Sequence, residues 1–336
     1  MFLAGIDIGG TTCSISVAQV KNNIDKIDII DKIKFETPES PETSIRKFKN
    51  SLHKLINNND IKVEGIGVSC GGPLDIEKGF INSPPNLPNW DGIDIITPFQ
   101  EEFKVEVGLQ NDANAGALAE WYFGAGRGNS NLVFLTFGTG MGAGLILNNS
   151  LYHGANNMAG EVGHIRLENN GPVGYGKTGS FEGFCSGGGI ARLARSKAKK
   201  AIKKGNPPSF CQQLNDLNNI TAKKVGIAAS EGDELARNIF KIVGEKLGYG
   251  LSILLDIINP EKIIIGSIYS RQKALLEPVV LKKVKEEALS PNLSACDIVP
   301  AELGEKIGEY ASISVILELM NSKNESMNFD IPLKFA

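Results

Sequence analysis

A chain of 336 residues is comfortable for two domains, and its 42% hydrophobic and 22% charged residues are those of a globular protein rather than a disordered one. A net charge of −3 leaves no basic footprint for nucleic acid or an anionic membrane, and no apolar run approaches a membrane span. Cys13, Cys70, Cys185, Cys211 and Cys296 are scattered without a C-x-x-C pair, and the N-terminus lacks the basic region of a signal peptide, so a reducing, cytoplasmic setting is expected.

Residues 2–8 form an apolar run that ends in Asp7-Ile8-Gly9-Gly10-Thr11-Thr12 and is followed by the alternating segment 14–18. Strand, glycine turn, strand is a β-hairpin pattern. Gly9, Gly10, Thr11 and Thr12 offer N–H groups and hydroxyls to an anion, although a plain tight turn reads the same way. Asp7, an acid just before the turn, suits a phosphate-bound Mg²⁺ held through water. A strand near 27–35, a helix near 41–55 and a strand over 62–68 follow, the last running into the glycine-proline loop Ser69–Asp75. Asn82–Trp90 is a loop by its prolines, and its amides and indole suit a sugar as well as they suit an ordinary surface.

An apolar run, Val105–Leu109, then leads into Asn111-Asp112-Ala113-Asn114, and a helix-compatible run leads out. Asp112 is thereby placed at the carboxyl end of a strand, where open α/β sheets put their chemistry. Local sequence leaves two readings of this stretch: a helix N-cap, for which Asn and Asp are favoured, or a carboxylate that takes a proton from a hydroxyl. Leu132–Leu147 repeats the first pattern, with Thr136, Gly138, Thr139 and Gly140 at its turn, which suggests an internal duplication about 130 residues apart. Glycines at 138, 140, 142 and 144 are expected to clear one face of a strand. Two such hairpins would cradle a nucleoside triphosphate from both sides.

Glu161 and His164 are three apart, so one helical turn would aim both at one point, and ligand contact is favoured over a structural histidine. The lysines of 196–204 read as a solvated helix face. A long helix is expected over 233–258, ended by Asn259-Pro260; a strand at 262–265 leads to Gly266-Ser267, a turn on which a purine could rest. A helix near 271–289, a strand at 297–299 and a helix from about 305 to 320 close the chain, and 321–336 has no strong pattern. Gly171–Thr178 matches G-x-x-x-x-G-K-[ST], but no strand enters it and no helix leaves it, so a P-loop is rejected.

The ordered set Asp7–Thr11, Asn111–Asn114, Gly138–Gly142 and Gly160–His164 resembles the ROK family of sugar kinases and sugar-sensing repressors, over roughly residues 3–320. The resemblance implies an α/β, two-lobe actin-like ATPase (ribonuclease H-like) fold with duplicated β-hairpin phosphate loops. It implies a smaller domain over 1–115, completed by the C-terminal helix at about 305–336, and a larger one over 116–304. It further implies ATP and Mg²⁺ as cosubstrates, a sugar as acceptor and a homodimer. By the same resemblance Asp112 is the general base, and Asn86, Asn111, Glu161, His164 and Glu182 are the sugar contacts. The phosphate loops fall on Gly9–Thr12 and Thr136–Gly140, and the adenosine turn on Gly266-Ser267. The expected activity is phosphorylation of a hexose at its 6-hydroxyl, with an N-acetylmannosamine or N-acetylglucosamine kinase as alternative and a non-catalytic sugar sensor as the second. A start directly on the phosphate strand, without a helix-turn-helix, disfavours a repressor. One departure is plain: relatives have three zinc-binding cysteines where this chain has Val173–Glu182, so a zinc-free loop held by tyrosine and phenylalanine packing is expected.

Overall fold

The computed structural model describes residues 1–21 and 27–325. The N-terminal run folds as expected: β1 (Phe2–Ile8) turns back at Gly9–Thr11 into β2 (Thr12–Val20), and β3 (Ile27–Glu36) pairs antiparallel with β2. Helix α1 (Pro41–Asn59) starts at Ser40, whose side chain accepts from the Thr43 N–H. It carries the chain to β4 (Gly65–Cys70), which lies parallel to β1. The strand expected over 62–68 is displaced because Val63 is buried ahead of the sheet and the Glu64 N–H, bonded to the Phe2 carbonyl, opens the ladder. Next, β5 (Glu106–Asn111) pairs parallel to β4 and feeds helix α2 (Asp112–Phe123). The sheet order is β3-β2-β1-β4-β5.

The same order recurs. With β6 (Leu132–Leu135), β7 (Ala143–Leu147), β8 (Ser150–Leu151), β9 (Lys262–Ile265) and β10 (Asp297–Pro300), the second sheet reads β8-β7-β6-β9-β10. Its β6, β9 and β10 are parallel, as are β1, β4 and β5. This doubled order is the structural form of the duplication suggested by the two glycine-threonine turns. Between β8 and β9 lie α3 (Gly187–Lys203) and α4 (Glu234–Ile258), the latter capped by Asp233 at its start and by Asn259 in the left-handed conformation at its end. Helix α5 (Lys273–Glu287) follows β9, and α6 (Ile307–Glu325) closes the described chain. The first residues of the stretch 321–336, read as patternless, continue α6, and 326–336 lie outside the described residues.

The alternating glycines do not lie in a strand. Residues 136–142 form a turn between β6 and β7, and only Gly144 of the four sits in a strand, where its missing side chain admits the Ala113 carbonyl and Ala117. Alternation of glycines carries no side-chain pattern, so it mimics a strand without specifying one.

The chain divides into two compact units. One comprises the described residues of Met1–Asn129, Gly144–Met158 and Glu302–Ala336, the other Ser130–Ala143 and Ala159–Ala301. In the first, Phe48, Leu52 and Leu55 of α1 pack with Ile6, Ile15, Val68 and Trp90. Helix α6 lies on the same sheet at Gly5 and Gly67, close enough that a Cβ on Gly67 would fall 1.8 Å from the Ser312 carbonyl oxygen. Among the described residues no helix is long and apolar enough to cross a membrane.

Candidate active site

Strand register builds the centre of the first unit. Asp7 pairs with Ser69, Ile8 with Cys70, and Cys70 with Asn111, so β1, β4 and β5 end at one level. That edge carries Asp7 and, one residue past β5, Asp112. Asn111 is the N-cap of α2, its Oδ1 accepting from the Asn114 N–H at 2.8 Å. The Gln110 Oε1 accepts from the Asn111 N–H at 2.9 Å and from the Asn114 Nδ2 at 3.1 Å. The cap reading therefore holds for Asn111 and leaves its Nδ2 for a ligand, while Asp112 is the first helical residue. Asp112 is solvent-exposed as a residue. Loss of water around it raises its pKa above the usual carboxylate range, against N–H groups of Ala113 and its own backbone that lower it.

Asp7 is half-buried, and its carboxyl is pushed up to about 7. Desolvation is the largest cause, followed by repulsion from Asp112 and Glu309, with Lys34 acting in the opposite sense. Glu309, buried on α6, pairs with Lys32 at 2.6 Å, and a Cβ on Gly308 would stand 2.7 Å from the Asp7 Oδ2. Crowded carboxyls of this kind favour a cation. Among the described residues, however, no group of three or more His, Cys, Asp or Glu is placed to hold a metal ion. The donors thus fit a Mg²⁺ that arrives with a nucleotide and keeps its waters, rather than one caged by protein.

The first turn is tied by the Gly9 N–H to the Thr12 carbonyl (3.2 Å) and by Thr37, which donates its N–H to the Thr11 carbonyl and its hydroxyl to the Gly9 carbonyl. Thr37 was not singled out from sequence; a threonine after an ordinary strand carries no signal of this role. Asn86 lies on this turn, so that a Cβ on Gly10 would meet its carbonyl oxygen at 2.6 Å.

In the second unit, Thr136 closes the second turn. Its N–H donates to the Gly142 carbonyl and its Oγ1 accepts from the Gly142 N–H, both at 3.0 Å, with Thr139 exposed at the tip. Gly266 and Ser267 pack against this turn: the Gly266 N–H donates to the Leu135 carbonyl and the Ile268 N–H to the Phe137 carbonyl. The structure thus brings together the residues expected for a phosphate loop and a purine turn. Glu161 and His164 bracket one 3₁₀ turn, Val162–His164, and both are exposed. Glu182 is half-buried, and its Oε2 accepts from the Met141 N–H at 3.2 Å.

The cysteine-free loop is a small hairpin. Val173–Gly174 pairs with Lys177–Thr178 across Tyr175 (φ 42°) and Gly176 (φ 76°), the paired positive φ values of a type I′ turn. Lys177 donates to the His164 carbonyl at 2.8 Å and Arg166 to the Thr178 carbonyl at 2.7 Å. Phe181 and Phe184 are buried beneath it, but Tyr175 is 68% exposed and only edges the His164 ring. The expected tyrosine packing is corrected: at the tip of a two-residue turn the side chain has no neighbouring strand to bury it.

The ROK family model matches residues 3–315. The chain belongs to the ROK family. A glucokinase of Halalkalibacterium halodurans is 32% identical over 283 residues, 82% of this chain and 83% of its own length. A xylose repressor of Bacillus spizizenii is 29% identical over 324 residues, covering 94% of this chain and 76% of the repressor. Among solved structures, a ROK family glucokinase from Streptomyces griseus in complex with glucose and AMPPNP matches with a TM-score of 0.74 at 26% identity, covering 94% of this chain and 99% of that one. The fold is accordingly the actin-like ATPase fold of ROK kinases, and the relatives include both glucokinases and xylose repressors.

Proposed function

We propose that this ROK protein is an ATP-dependent sugar kinase, with a hexose as acceptor and its 6-hydroxyl as nucleophile. The observation that carries the reading is the pairing of Asp112 with Asp7 on one strand edge, beside a glycine-threonine turn. An exposed aspartate with a raised pKa is a better proton acceptor than an ordinary one, and it stands at the mouth of a helix where a bound hydroxyl can reach it.

In this reading Asp112 orients the sugar hydroxyl and takes its proton as the hydroxyl attacks the γ-phosphate. Asn111 Nδ2, Asn86, Glu161, His164 and Glu182 hold the other hydroxyls. The turns Gly9–Thr12 and Thr136–Gly140 present N–H groups and threonine hydroxyls to the phosphates, and Gly266-Ser267 supports the purine. Phosphoryl transfer needs positioning and charge neutralisation more than covalent chemistry, and both turns are built for the former. Mg²⁺, held through water by Asp7, supplies charge neutralisation on the phosphates when bound. The protein acts in the cytoplasm as a homodimer and takes no nucleic-acid or membrane partner.

The test is a coupled ATP-consumption screen over glucose, mannose, fructose, allose, N-acetylglucosamine and N-acetylmannosamine, run on the wild type and Asp112→Asn. One sugar should drive turnover, and Asp112→Asn should lower kcat roughly 10²–10⁴-fold while sugar affinity changes little. A variant that turns sugar over at near wild-type rate removes Asp112 from the role of base. An N-acetylhexosamine as the best acceptor would move the activity to the amino-sugar kinases, which the cysteine-free hairpin at 173–178 favours. The resemblance to xylose repressors supports a sensor instead; ATP consumption with any sugar excludes it.

A further inference from the structure

The first turn departs from an ordinary β-hairpin at one atom. Gly9 and Thr12 flank the tip Gly10-Thr11, and the Gly9 N–H donates to the Thr12 carbonyl at 3.2 Å. A hydrogen-bonded pair of antiparallel strands exchanges two such bonds, so the Gly9 carbonyl would be expected to take the Thr12 N–H in return. Among the described residues that return bond is not made. The Gly9 carbonyl accepts the Thr37 hydroxyl instead, at 2.6 Å.

Thr37 is itself held in place. Its N–H extends the β2–β3 ladder by donating to the Thr11 carbonyl at 3.1 Å, and Pro38 after it disfavours a helical backbone there. The buried Cys13 thiol lies 3.3 Å from the Thr37 Oγ1. The one hydroxyl proton is given to Gly9, so the thiol is the donor of that pair. Thiol, hydroxyl and carbonyl thus form a chain of bonds that ends on the turn.

The bond to Gly9 fixes a direction. The Gly9–Gly10 peptide is trans, and a trans peptide points its C=O and N–H opposite ways. With the Gly9 carbonyl drawn to Thr37, the Gly10 N–H points away from it. Gly10 and Thr11 are exposed, and among the described residues neither N–H has an acceptor. On another side Gly10 is wedged by Asn86, whose carbonyl oxygen and Cβ would lie 2.6 and 2.7 Å from a Cβ on that glycine. A donor fixed before the ligand arrives costs no reorganisation when a negative oxygen binds.

The geometry points to Thr37 as a positioning residue for nucleotide phosphate: by holding back the Gly9 carbonyl it aims the Gly10 N–H at a phosphate oxygen. This rests on the ATP-dependent reading above and assigns a residue that reading did not use.

Calorimetric titration with ADP and amide NMR spectra of the full chain test it, both taken well below the unfolding temperature of each variant. In the wild type, ADP should move the Gly10 amide resonance. Thr37→Val keeps the branched shape and loses the hydroxyl. It should weaken ADP about three- to tenfold, the worth of one ordinary hydrogen bond, and shrink the Gly10 shift. At saturating ADP the shifts of Thr136–Gly142 should stay as in the wild type, which a general loss of structure would not allow. Thr37→Ser retains the hydroxyl and should bring ADP affinity back to within about twofold of wild type. If Thr37→Val does not fold, Thr37→Ala carries the same expectation. Wild-type ADP affinity in Thr37→Val, a Gly10 resonance that bound ADP leaves in place, or equal loss of shift at both turns overturns the inference. A wild type that consumes ATP with a sugar while Thr37→Val keeps its ADP affinity sinks this inference alone. A wild type that neither binds ADP nor consumes ATP sinks the kinase reading with it.

Discussion

Asp7 stands among carboxyls: Asp112 and Glu309 repel its charge, Lys34 offsets them in part, and its pKa is about 7. In the unfolded chain it titrates near 4. Between those values the folded state holds a proton that the unfolded state has released, so stability falls as pH rises from about 4 to about 7 and stays lower above. Asp7→Asn removes the charge without changing the shape. In metal- and nucleotide-free protein the variant should unfold at a higher temperature than wild type at pH 8. The gain should shrink as pH drops below 7 and be gone below about pH 4, while sugar phosphorylation falls. An unchanged or lowered unfolding temperature at pH 8 would mean that Asp7 is not held against its own charge. The sequence singled out Asp7 through its place before Gly9-Gly10. It gave no sign of Glu309 or Lys32, because their neighbourhood is made by α6 crossing the first sheet some 300 residues further on.

At the scale of elements, the hairpin at 173–178 is closed by means that need no metal: its own I′ turn, the bonds from Lys177 and Arg166, and the buried rings of Phe181 and Phe184 beneath. A structural zinc site needs about four nitrogen or sulfur ligands, and the free cysteine nearest in sequence, Cys185, is fully buried with its thiol against the Val243 carbonyl. Purified protein should therefore carry no stoichiometric zinc by elemental analysis, and EDTA should leave its unfolding temperature unchanged. One zinc per chain, or a fall of several degrees with EDTA, would refute this. Elements with a side-chain period were legible from sequence: α4 begins and ends within a residue of its expected bounds, and β9 matches them. Those made by backbone conformation were not. Glycines 138, 140 and 142 look like a strand face until the Thr136 bonds to Gly142 close them into a turn. Ser267 likewise reads as an ordinary turn residue until its φ and ψ are seen.

For the whole molecule, the repeated strand order matters more than either turn. A β1–β2 hairpin beside parallel β4 and β5, and its counterpart in the second sheet, put a glycine-threonine turn at the same topological point twice. The two turns also share a local device: in each, a threonine bonds both its backbone N–H and its hydroxyl into the turn, Thr37 in the first and Thr136 in the second. In the proposed function both turns bind phosphate, which a repeated fold alone does not require. Amide hydrogen exchange on the full chain checks it, since bound ligand slows exchange where N–H groups are engaged. ADP should slow exchange at Gly9–Thr12, at Thr136–Gly142 and at 266–268. The accepted sugar alone should slow 111–114 and 161–164 and leave the second turn unaffected. Protection by ADP at only one of the two turns would show that the duplication is one of fold and not of nucleotide binding.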